Sequence, residues 1–530
     1  SPCVRSDKMN YGIHGTWSGA AGLNRFIAHA AMALALVACG GGDDGGSAGN
    51  DPSYPDLSGR LVYSELAVPL QEHLAAVNDD QVPSSPALAT NIVLGADVYG
   101  EQPRIITANY GFDGYMGVPG LVGTDSAARL AAQAHDVAWA DLDPALDAPA
   151  RAHYSAVGVA AFRALYGVEV LLADTIPVVF SHPVLPASVS PEAFRITLND
   201  GSTVTPITAS FIPNLEYNER QTVVLTGYWG NRVAPGQPDA QYPTRVDVVD
   251  AETPMMFITP LGLVPAAGLG IESANPYVPG NGPRVVAAKL NLYSNLGEGG
   301  PQSQPNSSAN SGEDLYGAQA EYRLRIYTSA GFSPDGIGSI RPVDYERFFL
   351  LKAKDRSGGV VELTEAGKSY AIDGYGAVRV VGLADTGLQQ ESYDAGYVED
   401  HDNQYDIILS GDLAAVARIF EARLPSSGAY AAVYNPGGPG SSSAADSSGT
   451  VFTVPSQDHG VAVTDDLAAA SFVSYVEIDG AVARDAATGQ PQGRLLGPAI
   501  IDTKTGYTVN AYEDPDGKRF FASFPVSPAR

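Results

Sequence analysis

The chain has 530 residues, of which 45% are apolar and 17% are charged, and its formal net charge at pH 7 is -28. The apolar fraction is ordinary for globular proteins, which excludes wholesale disorder. The acidic excess repels phosphate backbones and argues against nucleic acid as a partner. With two cysteines in the sequence, neither a disulfide framework nor a thiolate metal site is expected.

A short apolar segment near the start of the chain ends at a cysteine. Residues 26–38 follow Arg25 and fall short of the ~20 apolar residues that a membrane-spanning helix needs, which is typical of a signal peptide. The tetrapeptide LVAC that ends at Cys39 resembles the lipobox of bacterial lipoproteins. The resemblance implies cleavage before Cys39, acylation of its thiol with diacylglycerol and palmitate, and the lipid bilayer as a partner. An ordinary signal peptide with a chance cysteine is the alternative.

The lipobox resemblance also divides the beginning of the chain. Residues 1–38 would be the signal peptide, with Met9 as an alternative start, and residues 39–57 a flexible Gly/Ser/Asp tether. Gly40 is not the Asp associated with inner-membrane retention in this family. The resemblance therefore implies a lipid-anchored protein of the cell envelope, at the outer membrane.

Residues 58–175 are predicted to form a mixed α/β domain. Residues 59–66 and 91–99 are rich in Val, Ile, Leu and Tyr, which favours strands. A first helix is predicted after the capping residues at 124–126, and a second is predicted to end at the C-cap Gly167.

From residue 176 the pattern changes to short β-rich runs separated by turn residues. Phe180-Ser181, Pro183-Val184 and Asp200-Gly201 resemble the opening strands of bacterial Ig-like domains of the surface-layer type. The resemblance implies an Ig-like β-sandwich over residues 176–250.

The remaining chain is predicted to be β-rich, with a domain over residues 251–435 and a C-terminal region over residues 436–530. A low-complexity linker is predicted at 298–314, and one helix is predicted over 412–424. Strands are predicted at 322–328, 348–353, 360–363, 378–381 and 406–409. The predicted fold class is thus mainly β and multidomain, with a mixed α/β N-terminal region, an Ig-like β-sandwich and further β-rich domains.

Zinc and nucleotide sites are not expected. The sequence contains no H-E-x-x-H motif. Residues 366–369 read AGKS, like the end of a phosphate-binding loop, but Glu362 occupies the position of that loop's first glycine and would repel phosphate.

The densest polar cluster lies at residues 397–406, which read YVEDHDNQYD. Calcium takes about six to eight oxygen ligands and tolerates irregular loops, so this cluster predicts a calcium site. The predicted ligands are Glu399, Asp400, Asp402, Asn403 and Asp406, with Asp385 and Asp394 as upstream candidates. Tyr405 and Gly411 stand where an EF-hand has its Gly and Glu, so the loop is not an EF-hand. A solvated acidic turn and catalysis by a carboxylate pair are the alternatives.

The function predicted from the sequence is that of an exported, membrane-anchored lipoprotein that is not an enzyme. It would act in binding, adhesion or envelope structure, with calcium as a stabilising ion and a polysaccharide or protein as ligand. The alternative is a lipid-anchored glycoside hydrolase or polysaccharide lyase with paired carboxylates in an open groove.

Overall fold

The computed structural model describes most of the chain beyond residue 88. The described residues are 61–63, 89–112, 114–123, 126–139, 154–233, 236–298, 310–338, 340–386, 403–436, 453–467, 473–502 and 507–529. Strands account for 39% of the residues and helices for 11%, and the strands form several sheets. This confirms the mainly β, multidomain fold class. No helix among the described residues is long and apolar enough to cross a membrane.

The described chain consists mainly of strands, and its five α-helices have at most nine residues each. The strands of the first half are β1 (Leu61–Tyr63), β2 (Ile92–Ala96), β3 (Ile105–Ala108), β4 (Met116–Val118), β5 (Val157–Gly158), β6 (Asp174–Phe180), β7 (Phe194–Leu198), β8 (Thr203–Val204), β9 (Thr208–Ser210), β10 (Thr222–Gly227), β11 (Pro243–Val248), β12 (Met256–Thr259), β13 (Gly262–Pro265) and β14 (Gly270–Glu272). Those of the second half are β15 (Val285–Leu292), β16 (Tyr322–Thr328), β17 (Leu350–Lys354), β18 (Val360–Leu363), β19 (Ser369–Ile372), β20 (Gly376–Ala384), β21 (Gln404–Gly411), β22 (Ile419–Leu424), β23 (His459–Asp465), β24 (Val473–Glu477), β25 (Arg494–Asp502), β26 (Thr508–Glu513) and β27 (Arg519–Ala522). The helices are α1 (Ser126–Ala134), α2 (Val159–Tyr166), α3 (Gly312–Tyr316), α4 (Tyr345–Phe348) and α5 (Leu413–Val416).

Three assemblies of strands carry the structure. A six-stranded sheet in the order β1-β25-β26-β27-β24-β2 joins strands from both ends of the described chain. Two four-stranded sheets, β3-β6-β10-β9 and β14-β11-β7-β8, share one apolar core and so form a sandwich. A nine-stranded sheet in the order β18-β17-β22-β23-β15-β16-β21-β20-β19 encloses the largest core.

The sandwich is the part of the structure that the Ig-like resemblance concerns. Its strands β7 to β11 lie within the predicted range and β6 begins two residues before it, whereas β3 and β14 come from outside it. Leu198 and Ser202 close the turn at Asp200-Gly201, where Gly201 has a φ of +86° that favours glycine. The Ig-like assignment itself stays a prediction, since a sandwich of two small sheets is common to many β proteins.

Of the predicted helix ends, one is confirmed and one predicted helix is wrong. Helix α2 ends at Gly167, whose left-handed conformation and N–H bond to the Arg163 carbonyl confirm the predicted C-cap. The single helix predicted over 412–424 is wrong, because α5 ends at Val416 and β22 follows. Strand β22 pairs with both β17 and β23, so tertiary pairing overrides the local helical tendency of this Ala-rich segment.

Candidate metal centre

One face of the nine-stranded sheet is charged although it is buried. Along β15, β16 and β21, alternate side chains point to opposite faces. The face that packs in the apolar core carries Leu290, Leu324, Ile326, Ile407 and Leu409. The opposite face carries Lys289, Asn291, Arg323, Arg325, Gln404 and Asp406, all buried. Because unpaired buried charge is costly, this face requires partners of opposite charge.

Arg325 is at the centre of these pairings. It lies opposite Asp406 in the register of β16 and β21 and donates to it from Nε at 2.8 Å and from Nη2 at 2.9 Å. The same Nη2 donates to Glu298 Oε1 at 3.2 Å and lies 3.9 Å from Asp385 Oδ2. One guanidinium therefore meets three carboxylates from three separate parts of the chain.

Arg323 extends the network towards the six-stranded sheet. Its Nη1 donates to Glu298 Oε1 at 2.9 Å, and its Nη2 donates to Asp97 Oδ2 at 3.5 Å. Lys289 Nζ lies 3.8 Å from the other oxygen of Asp97, which directly follows β2. Asn291 also donates to Asp97, at 2.9 Å. These charge-assisted contacts connect the end of β2 to the buried face of the larger sheet.

Two glycines allow backbone segments to approach closely at this junction. A Cβ on Gly95 would overlap the carbonyl oxygen of Leu296, and one on Gly297 would overlap that of Leu94. Asn218 donates its backbone N–H to the Gly297 carbonyl at 3.2 Å. The approach brings the loop between β9 and β10 and the turn after β15 against the end of β2.

Three carboxylates converge where these segments meet. Glu216 belongs to the loop before β10, Glu298 to the turn after β15, and Asp385 to the end of β20, and each offers one oxygen within 4.8 Å of the others. Two ligands on opposite sides of a calcium ion are about 4.8 Å apart, so this spacing suits one cation. An all-oxygen donor set suits Ca²⁺ or Mg²⁺ rather than Zn²⁺, which prefers nitrogen and sulfur.

Further acceptors surround this carboxylate triad. Asn218 donates Nδ2 to Glu298 Oε1 at 3.1 Å, yet its Oδ1 has no hydrogen-bond donor among the described residues. The same holds for Glu219 Oε1, Glu298 Oε2 and Asp385 Oδ1, all of them buried. Buried acceptors normally have a donor or an ion as partner, so this concentration of unpaired oxygens calls for one.

Acidic groups outnumber basic groups in the network. The buried carboxylates are Asp97, Glu216, Glu219, Glu298, Asp385 and Asp406. The buried basic groups are Arg220, Lys289, Arg323 and Arg325. With every one of these buried groups ionised, six negative charges oppose four positive charges and two negative charges remain, while the partly exposed Asp466 pairs with Lys289 at 2.8 Å from the edge of the network. One divalent cation would cancel this excess.

Burial and neighbouring carboxylates shift the pKa of two of the three carboxyl groups of the triad. Burial raises the pKa of Glu298 to about 7, although Arg325 and Arg323 both act to lower it. Burial, followed by the nearby Glu219 and Asp406 carboxylates, raises the pKa of Asp385 well above its usual value. Without a cation, protons are thus drawn to these carboxyl groups.

The structure covers part of the predicted calcium loop. Asn403 and Asp406 are described and buried, whereas Glu399, Asp400, Asp402 and the upstream Asp394 lie outside the described residues. Asp406 is held by Arg325, and Asn403 donates to the Thr328 carbonyl at 3.1 Å and accepts from Asn214 at 3.1 Å. The calcium site at the loop therefore stays a prediction.

The candidate centre differs in composition from that loop. Asp385 is common to the sequence-based candidates and the triad, while Glu216 and Glu298 were not among the predicted ligands. The sequence does contain one indication of the buried face, since Tyr322–Thr328 alternates arginines with Leu324 and Ile326. A strand that alternates Arg with apolar residues in a chain so acidic points to carboxylate partners.

The arrangement is suited to holding an ion and not to processing a polymer. The three carboxylate residues are each at most 7% exposed, so a polysaccharide chain cannot reach them. A glycosidase would present its two carboxyl groups to an open groove. No protein-family model matches the sequence, and searches of curated proteins and of solved structures find no significant match.

Proposed function

We propose that this protein is a lipid-anchored scaffold of the cell envelope that binds or displays ligands and is not an enzyme. The acylated Cys39 would hold it in the bilayer, at the outer membrane, through the tether of residues 39–57. Its β-rich domains would serve adhesion, ligand binding or envelope structure. A polysaccharide or a protein surface is the expected ligand class.

The observation that carries the non-enzymatic role is the burial of the ionic network around Arg323 and Arg325. Arg323 and Arg325 join carboxylates from the end of β2, the turn after β15 and strand β21 in contacts closed to solvent. Buried ion pairs require excellent geometry to offset desolvation, so they fix the positions of the segments that carry them. Rigid placement of several sheets suits a scaffold that presents surfaces.

Calcium belongs to the same proposal as a stabilising ion. The acidic loop with Glu399, Asp400, Asp402, Asn403 and Asp406 is the site that the sequence favours, because carboxylates packed together without a cation repel one another. The strongly acidic chain is compatible with divalent cations outside the cytoplasm.

Anchoring and ligand class can be tested separately. Expression in a bacterial host with labelled palmitate should label the wild-type protein and leave Cys39→Ser unlabelled and released from membranes. Equal labelling of both proteins would refute the anchor. The envelope-purified protein is then incubated with a polysaccharide panel, where binding without new reducing ends is expected. Release of new ends or unsaturated products would instead support the glycoside hydrolase or lyase.

A further inference from the structure

We infer that Glu216, Glu298 and Asp385 bind a Ca²⁺ ion in the interior of the protein, at a site distinct from the acidic loop. Their ligand oxygens lie within 4.8 Å of one another, a spacing that a single ion of calcium's size can bridge. The inference is independent of the proposed envelope function, because it concerns a metal centre within the fold and not the anchor or the ligand.

Neighbouring side chains supply evidence separate from the triad. Asn218 is fully buried and touches Glu298 through its Nδ2, while its Oδ1 lacks a donor among the described residues. Glu219 is also buried, and its Oε1 likewise has no hydrogen-bond donor among the described residues. Its Oε2 accepts from the Glu216 backbone N–H at 2.7 Å. Together with the triad, these side chains bring the number of residues that can offer an oxygen ligand to the metal to five.

The charge of the network favours a divalent ion. Six buried carboxylates oppose four buried basic groups, and Arg323 and Arg325 are already shared among several of the carboxylates. A dication would neutralise the remaining two negative charges by binding the carboxylate oxygens that the arginines leave without a hydrogen bond, Glu298 Oε2 and Asp385 Oδ1 among them. A water molecule could satisfy hydrogen bonds there but would leave the charge in place.

Burial favours calcium over magnesium. Mg²⁺ gives up its water reluctantly and usually keeps several water ligands, whereas Ca²⁺ accepts six to eight oxygen ligands in irregular geometry, with carboxylates binding through one or both oxygens. The triad, Asn218 and Glu219 are drawn from segments that are closed to solvent, which suits an ion coordinated largely by protein oxygens. The ion would be taken up as these segments come together in folding.

The test uses the full-length protein purified in detergent, with thermal melting and metal analysis. Wild-type protein should contain at least one tightly held Ca²⁺ per chain, and its melting midpoint should rise by about 5 °C from chelator to excess Ca²⁺. Glu216→Gln and Asp385→Asn should lose this rise. Because each replaces a buried carboxyl group with a neutral amide of the same shape, they should melt in chelator no lower than wild type does.

Two control variants make the outcome specific. Glu477→Gln changes a buried carboxylate that pairs with Arg484 elsewhere, and it should keep the full calcium response. The loop variant Asp400→Asn/Asp402→Asn should keep the part of the calcium response that the interior site contributes. Retention of the calcium response in Glu216→Gln and Asp385→Asn would overturn the inference, as would absence of any response in wild type. An equal rise with Mg²⁺ would overturn the choice of calcium, and loss confined to the loop variant would assign the ion to the acidic loop.

Discussion

Replacing Arg325 with methionine is the sharpest perturbation of the buried network. Methionine keeps an unbranched, though shorter, side chain and removes the charge and all guanidinium donors. The change deprives Asp406 of two hydrogen bonds, at 2.8 and 2.9 Å, and Glu298 of one at 3.2 Å. It also removes the positive charge 3.9 Å from Asp385.

The expected cost follows from what remains after the substitution. Removing one partner of a buried ion pair typically costs about 3–5 kcal/mol, because the other charge is left desolvated and unpaired. Here three carboxylates lose the positive charge of one shared guanidinium group. Arg325→Met should therefore lower the free energy of unfolding by at least ~4 kcal/mol. Arg494 offers a matched control, since its side chain is 65% exposed and pairs with Glu513 at 2.8 Å on the surface. Arg494→Met should cost less than ~1 kcal/mol.

Urea unfolding in chelator, followed by tryptophan fluorescence, measures both variants, and the midpoints are compared at constant slope. A third protein, Arg325→Met/Asp406→Leu, removes the stranded carboxylate and should recover part of the loss. If Arg325→Met and Arg494→Met unfold at the same urea concentration, the buried pairs do not contribute as argued.

Two further predictions concern acid stability and backbone packing. Burial, and then the charge of Lys289, lowers the pKa of His182 to about 4 from its usual 6.5. On acidification the histidine of the unfolded state therefore takes up the proton first. The free energy of unfolding should be highest above about pH 6.5 and should fall by up to ~3 kcal/mol towards pH 4. The variant His182→Asn should flatten this part of the plot of urea midpoint against pH. Parallel profiles would contradict the assignment. Gly95→Ala should lower the melting midpoint more than Gly201→Ala does. Both glycines have a positive φ, but at Gly95 the added Cβ would also overlap the Leu296 carbonyl. Equal losses in the two variants would mean that the close backbone approach at Gly95 carries no cost.

The strands were the most predictable part of the fold. The segment at 322–328 alternates apolar and charged residues with period two, and it is β16 from Tyr322 to Thr328. The segment at 298–314 shows where composition is ambiguous, because serine and asparagine occur in linkers and also in helix caps. Ser311 accepts a hydrogen bond from the Asp314 N–H and caps α3, which begins at Gly312.

The candidate centre was largely beyond the reach of sequence reasoning, for a physical reason. Its charged residues are contributed by segments that are far apart in the chain, and Asp97 and Arg323 are separated by 226 positions. The density of acidic residues along the sequence favoured the loop at 399–406. Which carboxylates become buried is decided instead by pairing between distant segments. Asp385 could be suggested because it lies near that loop, but Glu216 carries no local pattern that distinguishes it from a surface acid.

A buried ionic layer needs an explanation beyond stability, because apolar replacements of such layers are often neutral or stabilising. Fixing the geometry of the sheets would be one explanation, and for that purpose equal numbers of positive and negative groups would suffice. The layer instead contains two more carboxylates than basic groups, and its buried oxygens without donors cluster around Glu298 and Asp385. A single divalent ion accounts for the excess charge and the unpaired oxygens together, which a structural role for the arginines alone does not.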